Sequence, residues 1–268
     1  MNAELAELIA LVAHGNAFVH GLRPPTELTQ SNSTFQYVQS VRFVRPLYPP
    51  SAEPTTVATT TAAWFEAIKS AGGERMWLVI PAVTDHNLVG FANAGPGAIL
   101  VTLRGSAEVW TGSWEVISPQ PSDDRIWTVS YESMPASLGD VAVGSGSVDD
   151  AMDELRAVLG DAADFAVSDP GLRNFAKWLR DAVGLLDDPH PTAPYHPDML
   201  PDVGYSLESR RLLAASTRAW VFGGLGSWND VYLEDESIGT EYERISSRLW
   251  QAVLGGLESA VNAFEPVP

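Results

Sequence analysis

The sequence predicts an α+β protein. Its N-terminal part is mixed and contains an antiparallel β-meander; its mostly helical C-terminal half packs against that part. Three observations carry this expectation. Four short β-like runs, 98–103, 107–111, 114–117 and 126–131, follow one another with turn residues between them: Arg104-Gly105, Gly112-Ser113 and a Pro-Ser-Asp-Asp loop. Closely spaced strands of this kind form meanders. After residue 146 apolar residues recur at helical spacing almost to the end of the chain. A regular alternation of strands and helices is absent, which disfavours a doubly wound parallel sheet.

Taken in order, the chain opens with a helix. Leu5, Leu8, Ile9 and Val12 share a face, Asn2 is placed to cap it, and Gly15 or Asn16 to end it. His14 then falls in the last turn, where a cation suits the helix dipole. Residues 34–44 alternate as a strand, with a parity change at Tyr37-Val38 that predicts a bulge. Pro46, Pro49, Pro50 and Pro54 stiffen the connector that follows. Val57, Thr61, Trp64, Phe65 and Ile68 predict a helix over 55–71, ended by Gly72-Gly73. The apolar run 76–81 predicts a central strand covered on both sides. Trp110, Trp114 and Trp127 are expected to form a cross-strand cluster on the meander, as core packing rather than as a ligand-binding platform.

Residues 135–146 turn to small side chains and mark a boundary. It divides a mixed region, 1–140, from a helical region, 141–268, the two packing as one compact unit. Ser147 with Asp150 approximates a capping box ahead of Val148, Met152, Leu155 and Leu159. Ser168-Asp-Pro170 restarts a helix with proline at its first position. Residues 187–202 are proline-rich and irregular, 207–221 are helical, and 240–264 form a last helix interrupted by Gly255-Gly256. Each of those glycines costs about 1 kcal/mol relative to alanine there, so close packing or a kink is expected.

Composition limits function. The 268 residues carry a net charge of −18 and no cysteine. Thiolate nucleophiles, disulfides and Cys-ligated metals are thereby excluded. Residues 1–134 hold 7 basic and 12 acidic side chains and residues 135–268 hold 9 and 22, so the acid concentrates in the second half. Nucleic acid and anionic membrane surfaces both need clustered cations and are disfavoured as partners. The N-terminus lacks the basic start of a signal peptide and no apolar run is long enough to span a bilayer. The expectation is a soluble, acidic, cytoplasmic protein.

The stretch 218–232, Arg-Ala-Trp-Val-Phe-Gly-Gly-Leu-Gly-Ser-Trp-Asn-Asp-Val-Tyr, is the densest candidate for a site. Its glycines permit positive φ and close approach to the backbone. Ser227, Asn229 and Asp230 supply polar groups and Trp228 an apolar wall, which is how a small binding site is often built. The stretch has neither the third glycine of a dinucleotide loop, nor the lysine of a phosphate loop, nor a nucleophile elbow. The structural alternative is a glycine-rich reversal between helices, with Trp228 in the core and Asn229 or Asp230 as a cap. Two lesser clusters are Asp187-Asp-Pro-His190 with His196-Pro-Asp198, and Thr84-Asp85-His86-Asn87. The first has no standard metal spacing and is expected to bind no metal. The second reads as a turn. No cofactor signature is present. The function expected is a non-catalytic binding or interaction protein, of an inhibitor or immunity type, for a basic protein partner. The alternative is an enzyme or small-molecule binder at Ser227, Trp228, Asn229 and Asp230.

Overall fold

A computed structural model of the chain describes residues 1–46, 54–81, 85–89, 93, 97–117, 124–137, 146–223, 225–231 and 236–266. Most of the proline connector after Pro46 lies outside the described residues, as does Thr84. The α+β class holds. The six-stranded sheet has the order β2-β1-β6-β5-β4-β3. Its strands are β1 (Val38–Arg45), β2 (Thr55–Ala58), β3 (Gly73–Val79), β4 (Ala98–Leu103), β5 (Ser106–Val116) and β6 (Trp127–Ala136). Strands β3 to β6 are an antiparallel meander. The whole sheet is mixed, because β1 joins β6 in parallel and β2 then pairs antiparallel with β1.

Helix α1 (Ala3–Val19) is followed by a one-turn helix α2 (Leu28–Ser31), and packs against β3, β4 and a short helix α3 (Thr61–Ser70). Asn2 caps α1 by accepting the Glu4 N–H at 2.7 Å. The helix runs through Gly15 and Asn16 instead of ending there. A Cβ at Gly15 would fall 2.4 Å from the Met76 sulfur, so this glycine lets helix and strand approach. Asn16 is wholly buried. His14 is therefore not in the last turn; its Nε2 meets the Asp198 carbonyl at 3.1 Å. Nor is α1 a one-sided amphipathic helix: residues 4–13 are all buried, Glu4 and Glu7 included.

Helix α3 is shorter than the periodicity of 55–71 predicts. Thr55, Thr56 and Val57 are β-formers and find a partner in β1, so the helix starts only after Thr60, whose hydroxyl caps it. The expected central strand is an edge strand. The unpaired side of β3 is closed by two asparagines. Asn16 donates to the Met76 carbonyl and accepts the Met76 N–H, both at 2.8 Å. Asn262 does the same for Leu78, again at 2.8 Å. An amide presents one donor and one acceptor side by side, so it stands in for a neighbouring strand and blunts the edge. Strand β5 is continuous where Gly112-Ser113 predicts a break, because the Trp114 ring folds over Gly112, whose missing Cβ would lie 2.3 Å from that ring. Trp110 packs edge-on against Phe43 and Trp64, and Trp114 meets Tyr131, all core positions. Trp127 is only partly buried and takes no part in those ring pairs.

Four helices follow: α4 (Val148–Ser168), α5 (Arg173–Leu185), α6 (Leu207–Arg218) and α7 (Glu236–Asn262). Ser147 caps α4 by accepting the Asp150 N–H at 3.0 Å. Helix α5 begins after Leu172, not at Pro170, because Asp169 instead accepts the Gly171 N–H and closes a turn. Helix α7 packs on α4, α6 and the β3 edge, and one hydrophobic cluster runs through sheet and helices alike. No helix among the described residues is long and apolar enough to cross a membrane.

Candidate functional site

Helix α6 ends at Arg218, whose carbonyl accepts the Trp178 indole N–H of α5, and the turn at 223–230 follows. That turn is held by its own polar side chains. The Asn229 Oδ1 accepts both the Gly223 N–H at 2.9 Å and the Ser227 hydroxyl at 2.7 Å. The Asp230 carboxylate accepts the Gly226 N–H at 2.8 Å, and Gly226 needs its glycine for a φ of +80°. The Asn229 amide donates to the His86 carbonyl at 3.3 Å, tying the turn to the N-terminal half. Gly224 lies outside the described residues.

Trp228 points the other way, into the core, and is 0 % exposed. Its indole donates to Ser246 on α7 at 2.7 Å, its backbone N–H goes to the Val221 carbonyl, and its ring stacks on Tyr242. Its carbonyl accepts the Tyr242 hydroxyl. The reason is size: a residue of that volume contributes most when its whole surface leaves water and its N–H is satisfied.

Beside the turn lies a cleft of about 430 Å³. Of the four candidate residues, Ser227 and Asp230 line it; Trp228 and Asn229 hold the loop behind it. Its other walls include Phe175, Trp178 and Asn174 from α5 together with Trp220. Phe175 and Trp178 lie outside the stretch 218–232. The signal in the sequence is the spacing of Asn174 and Trp178, four positions apart, which places them on one face of α5. Arg218 covers one face of the Trp178 ring, 3.5 Å from its centroid, and is itself held by Asp181 at 2.8 Å. Lys177 and Arg218 both donate to Asp181 and hold its carboxyl below the usual range.

The other candidates are apart from this cleft. Neither Ser227 nor Asp230 bonds a histidine among the described residues. The His86 ring is buried against Phe222, while Asp85 closes its own turn onto the Asn87 N–H at 2.9 Å and makes no bond to that ring. His190 is exposed, and its backbone N–H is capped by Asp188. His196 is buried elsewhere. No group of three or more His, Asp or Glu placed to hold a metal ion occurs among the described residues.

Comparison with known protein families, with curated proteins and with solved structures finds no match to this chain.

Proposed function

We propose that this is a non-catalytic cytoplasmic binding protein for a basic protein partner, and that the cleft beside the 223–230 turn receives a cationic side chain of that partner. The observation that carries the reading is the pairing of aromatic walls, Phe175, Trp178 and Trp220, with the exposed Asp230 carboxylate in one concavity. An aromatic face and a carboxylate together favour a guanidinium or ammonium group over a neutral one. The protein already packs one such pair internally, Arg218 on Trp178.

The wider charge distribution supports the same reading. Many basic side chains are held by the chain's own acids, as Arg156 is by Asp187 and Arg248 by Asp161. Asp149, Asp150, Asp153 and Glu154 are exposed near the start of α4. Such a field accelerates encounter with a basic partner more than it adds affinity. The cleft also falls in the size range of small-molecule sites, so a free cationic ligand is the second reading.

Calorimetry with a short arginine- and lysine-containing peptide, and with arginine amide alone, tests both. Asp230→Asn keeps an oxygen for the Gly226 N–H but removes the charge. It is expected to weaken peptide binding by about tenfold or more, the scale of a lost charge-assisted hydrogen bond. Asp153→Asn removes the same charge from α4 and is expected to change little beyond its salt-dependent share. Equal losses in the two variants, or no binding at low salt, would refute the proposed site.

A further inference from the structure

A second cavity, of about 490 Å³, shares Trp220 and Val221 with the first but is lined otherwise by Thr34, Tyr37, Tyr195 and His196, among others. His196 is only 9 % exposed, and its ring is oriented from behind by a directed chain of hydrogen bonds. The Ser33 hydroxyl donates to the Asp198 carboxylate, whose other oxygen accepts the Ser33 backbone N–H at 2.9 Å. Asp198 is fixed in turn by Asn32, whose amide donates to its carbonyl at 2.7 Å. A serine has one hydroxyl hydrogen. With that hydrogen committed to a carboxylate, its oxygen faces His196 Nδ1, 3.3 Å away, as an acceptor. The proton of the neutral ring therefore sits on Nδ1, and Nε2 keeps a bare lone pair. No hydrogen bond to Nε2 is formed by the described side chains; Ser33, Asp198 and the N-terminal amine, which lines the same cavity, are the groups that act on the ring. Burial keeps the ring neutral by lowering its pKa.

A third observation concerns the neighbour. Tyr195 adopts a φ of +68°, a conformation that disfavours residues with a side chain. The residue nevertheless stays 64 % exposed while lining this cavity, where a packed core position would bury it. Strain retained beside an oriented, unpartnered acceptor is the pattern of a site.

We propose that this cavity binds a small planar aromatic molecule carrying an O–H or N–H donor, which is received by His196 Nε2 and flanked by the rings of Tyr195, Tyr37 and Trp220. The acceptor selects a donor; the aromatic walls select a flat apolar body. The cavity shares the Trp220 wall with the cationic cleft, but its polar group is an acceptor nitrogen and not a carboxylate, so its ligand class is different.

The probes are phenol and anisole, which differ in that the second has lost the donor hydrogen; the phenol, with a pKa of about 10 like tyrosine, keeps its proton at neutral pH. Binding is followed by quenching of tryptophan fluorescence and by calorimetry. The intact chain is expected to bind the phenol about three- to tenfold more tightly than the anisole, the range of one neutral hydrogen bond. His196→Phe keeps an aromatic ring and removes the acceptor, so the preference should vanish while both probes still bind. Ser33→Ala frees the tautomer and should shrink the preference without changing anisole binding. Long-range proton–nitrogen NMR of the unliganded protein adds a readout that needs no variant: His196 should show a protonated Nδ1 and a bare Nε2. Equal affinity for the two probes, no saturable binding of either, or a proton found on Nε2 would each overturn the proposal.

Discussion

Glu7→Gln is the most informative single substitution. Glu7 lies on α1 beneath the sheet, buried, with the Trp114 indole N–H at 3.1 Å and the Tyr131 hydroxyl at 3.0 Å both donating to its Oε2. Burial pushes its pKa up from 4.5 to about 8; the two donors oppose that shift and the nearby Glu4 charge adds to it. The unfolded chain releases this proton near pH 4.5 while the fold keeps it until about pH 8. Between those limits the folded state binds more protons than the unfolded one, so stability falls as pH rises. The slope is about 1.4 kcal/mol per pH unit, which amounts to at most about 5 kcal/mol over the whole window and about 3 kcal/mol by pH 7. Glutamine keeps an oxygen for Trp114 and Tyr131 and cannot ionise. Any new unsatisfied N–H it brings is a cost independent of pH. Asp181, Asp187 and Asp202, whose pKa values are lowered by ion pairs, give slopes of the opposite sign in acid. They are common to both proteins and cancel in the difference. Urea unfolding followed by tryptophan fluorescence from pH 5 to pH 8 should therefore show the variant gaining steadily on the parent. If the stability difference is constant across that range, Glu7 is not held protonated and the reasoning is wrong.

Further outcomes follow from the packing. Gly255→Ala on α7 meets no atom within 4 Å and should stabilise by up to about 1 kcal/mol in thermal melts. Gly256→Ala should destabilise by about 1–3 kcal/mol, because its Cβ would lie 2.3 Å from Ser216 Oγ on α6. Adding Ser216→Ala should recover much of that loss, and also removes a buried hydroxyl that has no partner. Ser246→Ala leaves the Trp228 indole N–H unsatisfied and should cost about 1–3 kcal/mol by chemical denaturation. Asn262→Ala strips the partners from Leu78 on the β3 edge; it should cost about 2–4 kcal/mol and raise aggregation, seen by light scattering.

Much of the architecture is legible locally. The caps at Asn2 and Ser147, the strand 98–103, the antiparallel order of the meander and the helical second half all follow from a few neighbouring residues. Misreadings arise where a distant partner overrides the local signal. Gly15 and Asn16 look like a helix end, yet Met76 gives them reason to stay helical. Thr55–Ala58 carries a helical stripe, yet β1 offers it a ladder. The apolar run of β3 looks like a central strand because helices cover it, though asparagines and not strands pair its outer edge.

The candidate loop divides in the same way. Its glycines, Asn229 and Asp230 announce a tight turn, and that turn forms through their own hydrogen bonds. Which of its side chains meets a cavity is not a local property: Trp228 turns to Ser246, and the cleft takes its aromatic walls from α5. Composition determined the exclusion of thiol chemistry and the acidic balance, because those are sums over residues. Only the fold brought Ser33, 165 positions from Asp198, against it and His196, since side chains so far apart meet through packing and not through sequence spacing.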